Sequence, residues 1–74
     1  MYTKSDFGKA LLEQLNKGYD IIQLSDWAFS IHLSQCGEFA DGVHDVVMQI
    51  VAMQEGPEFE FSESELRDYA KSLL

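Results

Sequence analysis

Nine acidic side chains fall between residues 38 and 68, and they are the densest group in this sequence that could take part in binding chemistry. Arg67 is the single basic residue in that interval, so the segment carries a net charge of eight negative units. Residues 1–37 hold four acids against three lysines, which nearly cancel. Such a surface repels nucleic acid and anionic membranes and attracts basic proteins. We therefore expect a basic protein partner, with no direct binding to nucleic acid or membrane.

Eight of these acids are the candidate partner-binding residues. They are Glu38, Asp41, Asp45, Glu55, Glu58, Glu60, Glu63 and Glu65. The simpler interpretation of the same pattern is a solvated surface that keeps a small protein soluble. The sequence leaves both interpretations open.

Residues of the types that bind metals also occur close together. They are His32, Cys36 and His44, with Glu38, Asp41 and Asp45 nearby. Their spacing, H-x3-C-x7-H, matches no zinc pattern, and the residues after Asp41 lack the acids of a calcium loop. We expect His32 to be a partly buried histidine and His44 a surface one, so the sequence predicts no metal and no cofactor.

Catalytic patterns are missing from the sequence as well. Glu58 and Glu60 lie on one side of a short segment, as a general acid and base would, but no third polar group accompanies them. The sequence has no serine elbow, no phosphate-binding glycine loop and no Cys-His nucleophile arrangement. We expect that the protein is not an enzyme.

Composition limits the cellular setting. The single cysteine cannot form an internal disulfide, which is typical of a protein from a reducing compartment. The sequence also lacks an apolar run of the length expected for a signal peptide or a membrane span. These features predict a cytoplasmic protein, with residues 1–74 forming a single helical domain.

Hydrophobic periodicity predicts four helices that position the acidic residues, at roughly 4–17, 21–34, 43–55 and 63–73. Thr3 with Asp6, and Ser62 with Glu65, have the spacing of capping boxes, and Asp20 precedes Gln23 in the same way. Gly18 ends the first helix, and Gly56 followed by Pro57 ends the third. The predicted fold is all-α, a compact domain resembling a four-helix bundle.

Two aromatic features complete the predicted architecture. The second helix is apolar around most of its circumference, and Trp27 is its largest side chain, so we expect Trp27 at the centre of the core. Before the last helix, Phe59 and Phe61 alternate with Glu58 and Glu60. This alternation predicts a short extended segment with both rings against the bundle and Phe61 packed on Leu66.

A set of residues spread along the chain carries a family resemblance. The set comprises Leu15, Gly18, Asp26, Trp27, Ala28, Asp45, Val46, Gly56, Phe59, Phe61 and Leu66. In this pattern, and over roughly residues 11–74, the chain resembles the small acidic immunity proteins encoded beside bacterial polymorphic or contact-dependent toxins. The resemblance implies a stoichiometric inhibitor that binds one cognate toxin, with no cofactor and no catalysis.

Two hypotheses from different classes follow. The first is an inhibitor of the immunity type, monomeric when free, that uses residues 38–68 against a basic toxin; an inhibitor that mimics nucleic acid to block a DNA-binding protein is a variant of it. The second is a small structural or adaptor subunit that self-associates through exposed apolar residues, namely Ile22, Phe29, Leu33 and Met48.

Overall fold

A computed structural model describes the backbone of residues 1–74 and every side chain except those of Cys36 and Phe59. Its four α-helices are α1 (Lys4–Lys17), α2 (Ile21–Gln35), α3 (Val43–Val51) and α4 (Glu63–Ser72). Three short 3₁₀ turns connect them, at Cys36–Glu38, Ala52–Glu55 and Pro57–Phe59. The predicted all-α fold is confirmed. The predictions for the Phe59 ring and the Cys36 thiol lie outside the described residues.

The helices pack as two pairs, α1 on α4 and α2 on α3, with α1 also contacting α3. Among the described side chains, twelve apolar ones are buried and form one core cluster. They are Phe7, Leu11, Leu15, Leu24, Ala28, Val43, Val46, Val47, Ile50, Met53, Leu66 and Ala70. Each helix contributes residues at a spacing of three or four, which is the pattern that predicts these helices from the sequence.

The two capping boxes predicted at Thr3 and Ser62 are present, and at the third predicted start the Gln23 backbone N–H donates to the Asp20 carboxylate at 3.1 Å. In the first, the Thr3 hydroxyl accepts the Asp6 backbone N–H while the Asp6 carboxylate accepts that of Thr3; Ser62 and Glu65 make the same exchange. The pKa of Asp6 is held below its ordinary value, chiefly because the Thr3 backbone N–H donates to its carboxylate. Local hydrogen bonds therefore fix where α1 and α4 begin, as the sequence predicts.

The Ser62 cap provides the first stability test. Ser62→Ala removes the acceptor for the Glu65 N–H at 3.1 Å, and we expect it to lower the free energy of unfolding by about 1 kcal/mol. Ser64→Ala is the matched control, because Ser64 is exposed inside α4 and is not a cap. Urea titrations followed by circular dichroism compare the two, and equal midpoints would contradict the role of the cap.

The prediction for Trp27 is corrected by the structure. Trp27 is only partly buried and packs against the core from its margin, whereas Phe7 has no exposed surface. The two rings stack with their centroids 5.1 Å apart and their planes 13° from parallel. An indole ring is rarely buried completely, because it is large and has an N–H that needs a partner. The smaller Phe7 ring therefore occupies the interior.

The predicted extended segment at residues 56–61 is also wrong in its first half. Pro57–Phe59 forms a 3₁₀ turn, in which the Glu60 N–H donates to the Pro57 carbonyl at 3.2 Å. The proline ring fixes φ near the value that a helical turn needs, and no neighbouring strand competes for the backbone. The Phe61 ring stacks on the Tyr69 ring of α4, with the two centroids 5.8 Å apart. Tyr69 lies three residues beyond Leu66, the residue on which Phe61 is predicted to pack.

Candidate functional site

An open groove lies between the outer face of α3 and the segment that precedes α4, with a volume of about 610 Å³. Asp45, Met48, Gln49 and Ala52 line one wall at the i, i+3, i+4, i+7 spacing of a single helix face. Glu58, Glu60 and Phe61 line the other wall. The 3₁₀ turn at Pro57–Phe59 brings this second wall back beside α3.

The groove has a mixed chemical character. Met48, Ala52 and Phe61 are half-buried and form an apolar floor, while Asp45, Glu58 and Glu60 are exposed at the rim. Among the described side chains, no lysine or arginine lines the groove or pairs with these three carboxylates. Asp45 lies 3.8 Å from Nδ1 of His44, a contact that is ionic only when His44 is protonated. The rim is thus three negative charges beside an apolar surface.

Two of the predicted partner-binding acids already have intramolecular partners. Glu65 belongs to the capping box with Ser62. Glu63 accepts from Arg67, which also donates to the Asn16 side chain and the Leu15 carbonyl and so ties α4 to the end of α1. Arg67, the single basic residue between residues 38 and 68, therefore makes its contacts within the protein.

Tyr19 lies close enough to this acidic region for its pKa to be affected. Its hydroxyl donates to the Phe61 carbonyl, which anchors the α1–α2 connection to the wall of the groove. Burial raises the pKa of Tyr19, and the negative charges of Glu60, Glu63 and Glu65 raise it further. These three carboxylates therefore act together on one position, although Glu60 alone among them lines the groove.

The remaining predicted acids lie elsewhere on the surface. Glu38 is in the 3₁₀ turn after α2, Asp41 lies in the turn before α3, and Glu55 ends the 3₁₀ turn after α3. All three are exposed. The structure thus brings Asp45, Glu58 and Glu60 together at one groove and leaves the other candidates outside it.

His32 and His44 face each other edge-on, with ring centroids 5.3 Å apart. His32 is partly buried and His44 exposed, in agreement with the sequence-based expectation. Two buried polar atoms near Phe39, Nδ1 of His32 and the Tyr2 hydroxyl oxygen, have no hydrogen-bond partner among the described side chains and the backbone. Among the described side chains, which exclude that of Cys36, no three His, Cys, Asp or Glu residues are placed to hold a metal ion.

A second surface feature is the exposed apolar side of α2. Ile22, Phe29 and Leu33 are 57%, 47% and 66% exposed. Met48 is instead half-buried in the groove on α3. The four apolar residues proposed for self-association therefore divide between two different surfaces.

The sequence pattern missed the floor of the groove and one buried polar residue. Met48 and Ala52 fall on the outward side of α3 by periodicity, but nothing local indicates which segment lies opposite them. Ser25 is fully buried, and its hydroxyl donates to the Ile50 carbonyl at 3.1 Å. Ser25 lies one residue from Leu24 and three from Ala28, which are both core residues. Helical periodicity therefore places Ser25 beside the buried face of α2, and this was the sign of its burial in the sequence.

Comparison with protein-family models, with curated proteins and with solved structures gave no match. None of the helices in the described residues has the length and apolar character needed to cross a lipid bilayer.

Proposed function

We propose that this protein is a small acidic inhibitor of the immunity type, which binds a basic toxin stoichiometrically and blocks it. The observation that carries this proposal is the groove, where Asp45, Glu58 and Glu60 surround an apolar floor without a cationic neighbour among the described side chains. A binding function needs no catalytic group, and the described residues that line the groove include no serine, cysteine, lysine or histidine. The free protein would be a cytoplasmic monomer.

Charge complementarity explains how such an inhibitor would reach its target. Negative charges on one surface raise the rate of encounter with a basic partner, and salt screens this attraction over about 8–10 Å near physiological ionic strength. The net charge of −8 adds a long-range field to the local carboxylates. Association should therefore slow with added salt while dissociation changes less.

The test reverses the two exposed rim charges and measures binding to the toxin encoded by the adjacent reading frame. Glu58→Lys combined with Glu60→Lys should lower the association rate about tenfold or more, and should reduce protection of the host cell. Stability should change little, because both carboxylates are exposed. Stopped-flow kinetics at several salt concentrations and a growth assay supply the two measurements.

Glu13→Lys combined with Asp26→Lys is the matched control. Both residues are exposed, lie on α1 and α2 away from the groove, and change the net charge by the same amount. A loss of rate confined to the Glu58 and Glu60 variant supports recognition at the groove. If both variants bind and protect as the unmodified protein does, the acidic segment serves solubility and recognition lies on the apolar surfaces with Phe29 and Met48. If the unmodified protein neither binds nor protects, the inhibitor proposal fails.

A second candidate is favoured by the exposed side of α2. Ile22, Phe29 and Leu33 could pack against a second copy, which would make the protein a self-associating structural or adaptor subunit. Sedimentation over a range of concentrations separates the candidates, since the inhibitor should remain monomeric. If the inhibitor instead mimics nucleic acid, the partner should lose its ability to bind DNA when the complex forms.

A further inference from the structure

The groove has the shape and chemistry of a site for one face of a helix. The wall formed by α3 and the first residue of the following 3₁₀ turn extends from Asp45 to Ala52, a rise of seven residues or about 10 Å along the helix axis. This length corresponds to about two turns of a bound helix, which would present three or four side chains on one face. A volume of about 610 Å³ is larger than a single lysine or arginine side chain needs.

The lining also limits the composition of the occupant. An entirely apolar helix would leave Asp45, Glu58 and Glu60 beside uncharged surface, and an entirely basic one would leave Met48, Ala52 and Phe61 without apolar contacts. A helix with apolar side chains along its centre and lysine or arginine at its margins satisfies both requirements, because the aliphatic stems of the basic residues lie beside the apolar contacts while their charged ends reach the rim. Methionine adapts its shape to varied side chains, so Met48 suits the floor of such a site.

We propose that the groove binds a basic amphipathic helix of the partner, with apolar side chains on Met48, Ala52 and Phe61 and with lysine or arginine at the acidic rim. This inference rests on the proposed function and specifies the segment of the toxin that is recognised. It separates the roles of the two parts of the site: the rim sets the association rate, and the floor sets the dissociation rate.

Synthetic peptides can test the groove without the toxin. The probe is a 14-residue peptide of lysine and leucine with its leucines at i, i+3, i+4 and i+7, and its control is a scrambled peptide of the same composition. The amphipathic peptide should bind at least tenfold more tightly than the scrambled one in calorimetric titrations. Equal affinities would overturn the inference, because charge alone would then account for binding.

Variants of the protein locate the peptide on the surface. Met48→Gln should weaken the amphipathic peptide about tenfold through faster dissociation, and Leu33→Gln on the exposed side of α2 should leave the affinity unchanged. The opposite result, with Leu33→Gln weakening the peptide and Met48→Gln having no effect, would assign binding to α2 and overturn the inference. Circular dichroism verifies that each variant is folded.

A second pair of variants tests the site without altering a half-buried side chain. Gln49 is exposed and lines the groove, whereas Gln54 is exposed nearby and does not line it. Gln49→Lys should weaken the peptide by repulsion, and Gln54→Lys, with the same change in net charge, should weaken it much less. Equal effects of the two lysines would overturn the inference.

The toxin assay distinguishes this inference from the proposed function. If protection is lost when Glu58 and Glu60 are reversed but survives Met48→Gln and Gln49→Lys, the inhibitor proposal stands and the groove inference fails. If the peptide binds as expected while the protein neither binds nor protects against the toxin, the inhibitor proposal fails.

Discussion

Phe7→Ala is expected to lower the free energy of unfolding by about 3–5 kcal/mol, the largest loss we expect from a single substitution in this protein. Phe7 is completely buried and stacks on Trp27, so alanine would leave a cavity beside the indole ring. Domains of this size have small cores and little stability to spare. We therefore expect the variant to be mostly unfolded at 37 °C.

Phe29→Ala is the matched control for this experiment, because Phe29 is 47% exposed on α2. Its loss should cost about 1 kcal/mol or less, since nearly half of the Phe29 surface already contacts water and alanine there leaves no enclosed cavity. Urea denaturation followed by far-UV circular dichroism measures both variants without depending on Trp27. Similar midpoints for the two variants would show that Phe7 is not the centre of the core.

The contrast between Phe7 and Trp27 illustrates which parts of the fold the sequence could predict. Periodicity identifies the apolar face of each helix, and both residues lie on such faces. Which ring reaches the interior depends on how closely α1 and α2 approach one another. That distance follows from all the contacts together and has no local signature.

Most helix boundaries were predictable, because their causes lie within a few residues. The exception is the end of α3, predicted at residue 55, since α3 ends at Val51 and Ala52–Glu55 is a 3₁₀ turn. Thr3 with Asp6 and Ser62 with Glu65 form their boxes through hydrogen bonds between residues three apart. Gly18 ends α1 with a φ of 144°, a backbone conformation that favours glycine. Alternation over residues 58–61 predicts an extended segment, but Pro57–Phe59 forms a 3₁₀ turn, because an alternating pattern of four residues is too short to identify extended structure.

The candidate site was predictable in its charges but not in its shape. All eight candidate acids are exposed, as their residue type favours. Glu65 could have been set apart from the sequence alone, since its place in a capping box already gives its carboxylate a partner. The juxtaposition of Glu58 and Glu60 with Met48 is tertiary, because it requires the chain to turn back after α3.

Gly8 lies where α1 packs closely on the end of α4, and it supports the second large prediction. A Cβ atom added there would lie 2.7 Å from the Ala70 carbonyl oxygen and 3.0 Å from the Leu73 Cβ. Neither contact can be relieved by rotating a flexible side chain, so the two helices would have to separate. Overpacking of this kind typically costs about 1–3 kcal/mol and sometimes more.

Gly8→Ala should therefore destabilise the protein by about 2 kcal/mol, although alanine itself favours a helix over glycine by about 1 kcal/mol. For a domain of this length, that loss corresponds to a fall in Tm of roughly 8–16 °C. Gly37→Ala is the control, because Gly37 is exposed and a Cβ there meets no atom of the described residues within 4 Å, its two chain neighbours aside. Its Tm should stay within about 3 °C of the unmodified protein. If Gly8→Ala instead raises the Tm, helix propensity outweighs the steric conflict, and α1 and α4 can move apart at little cost.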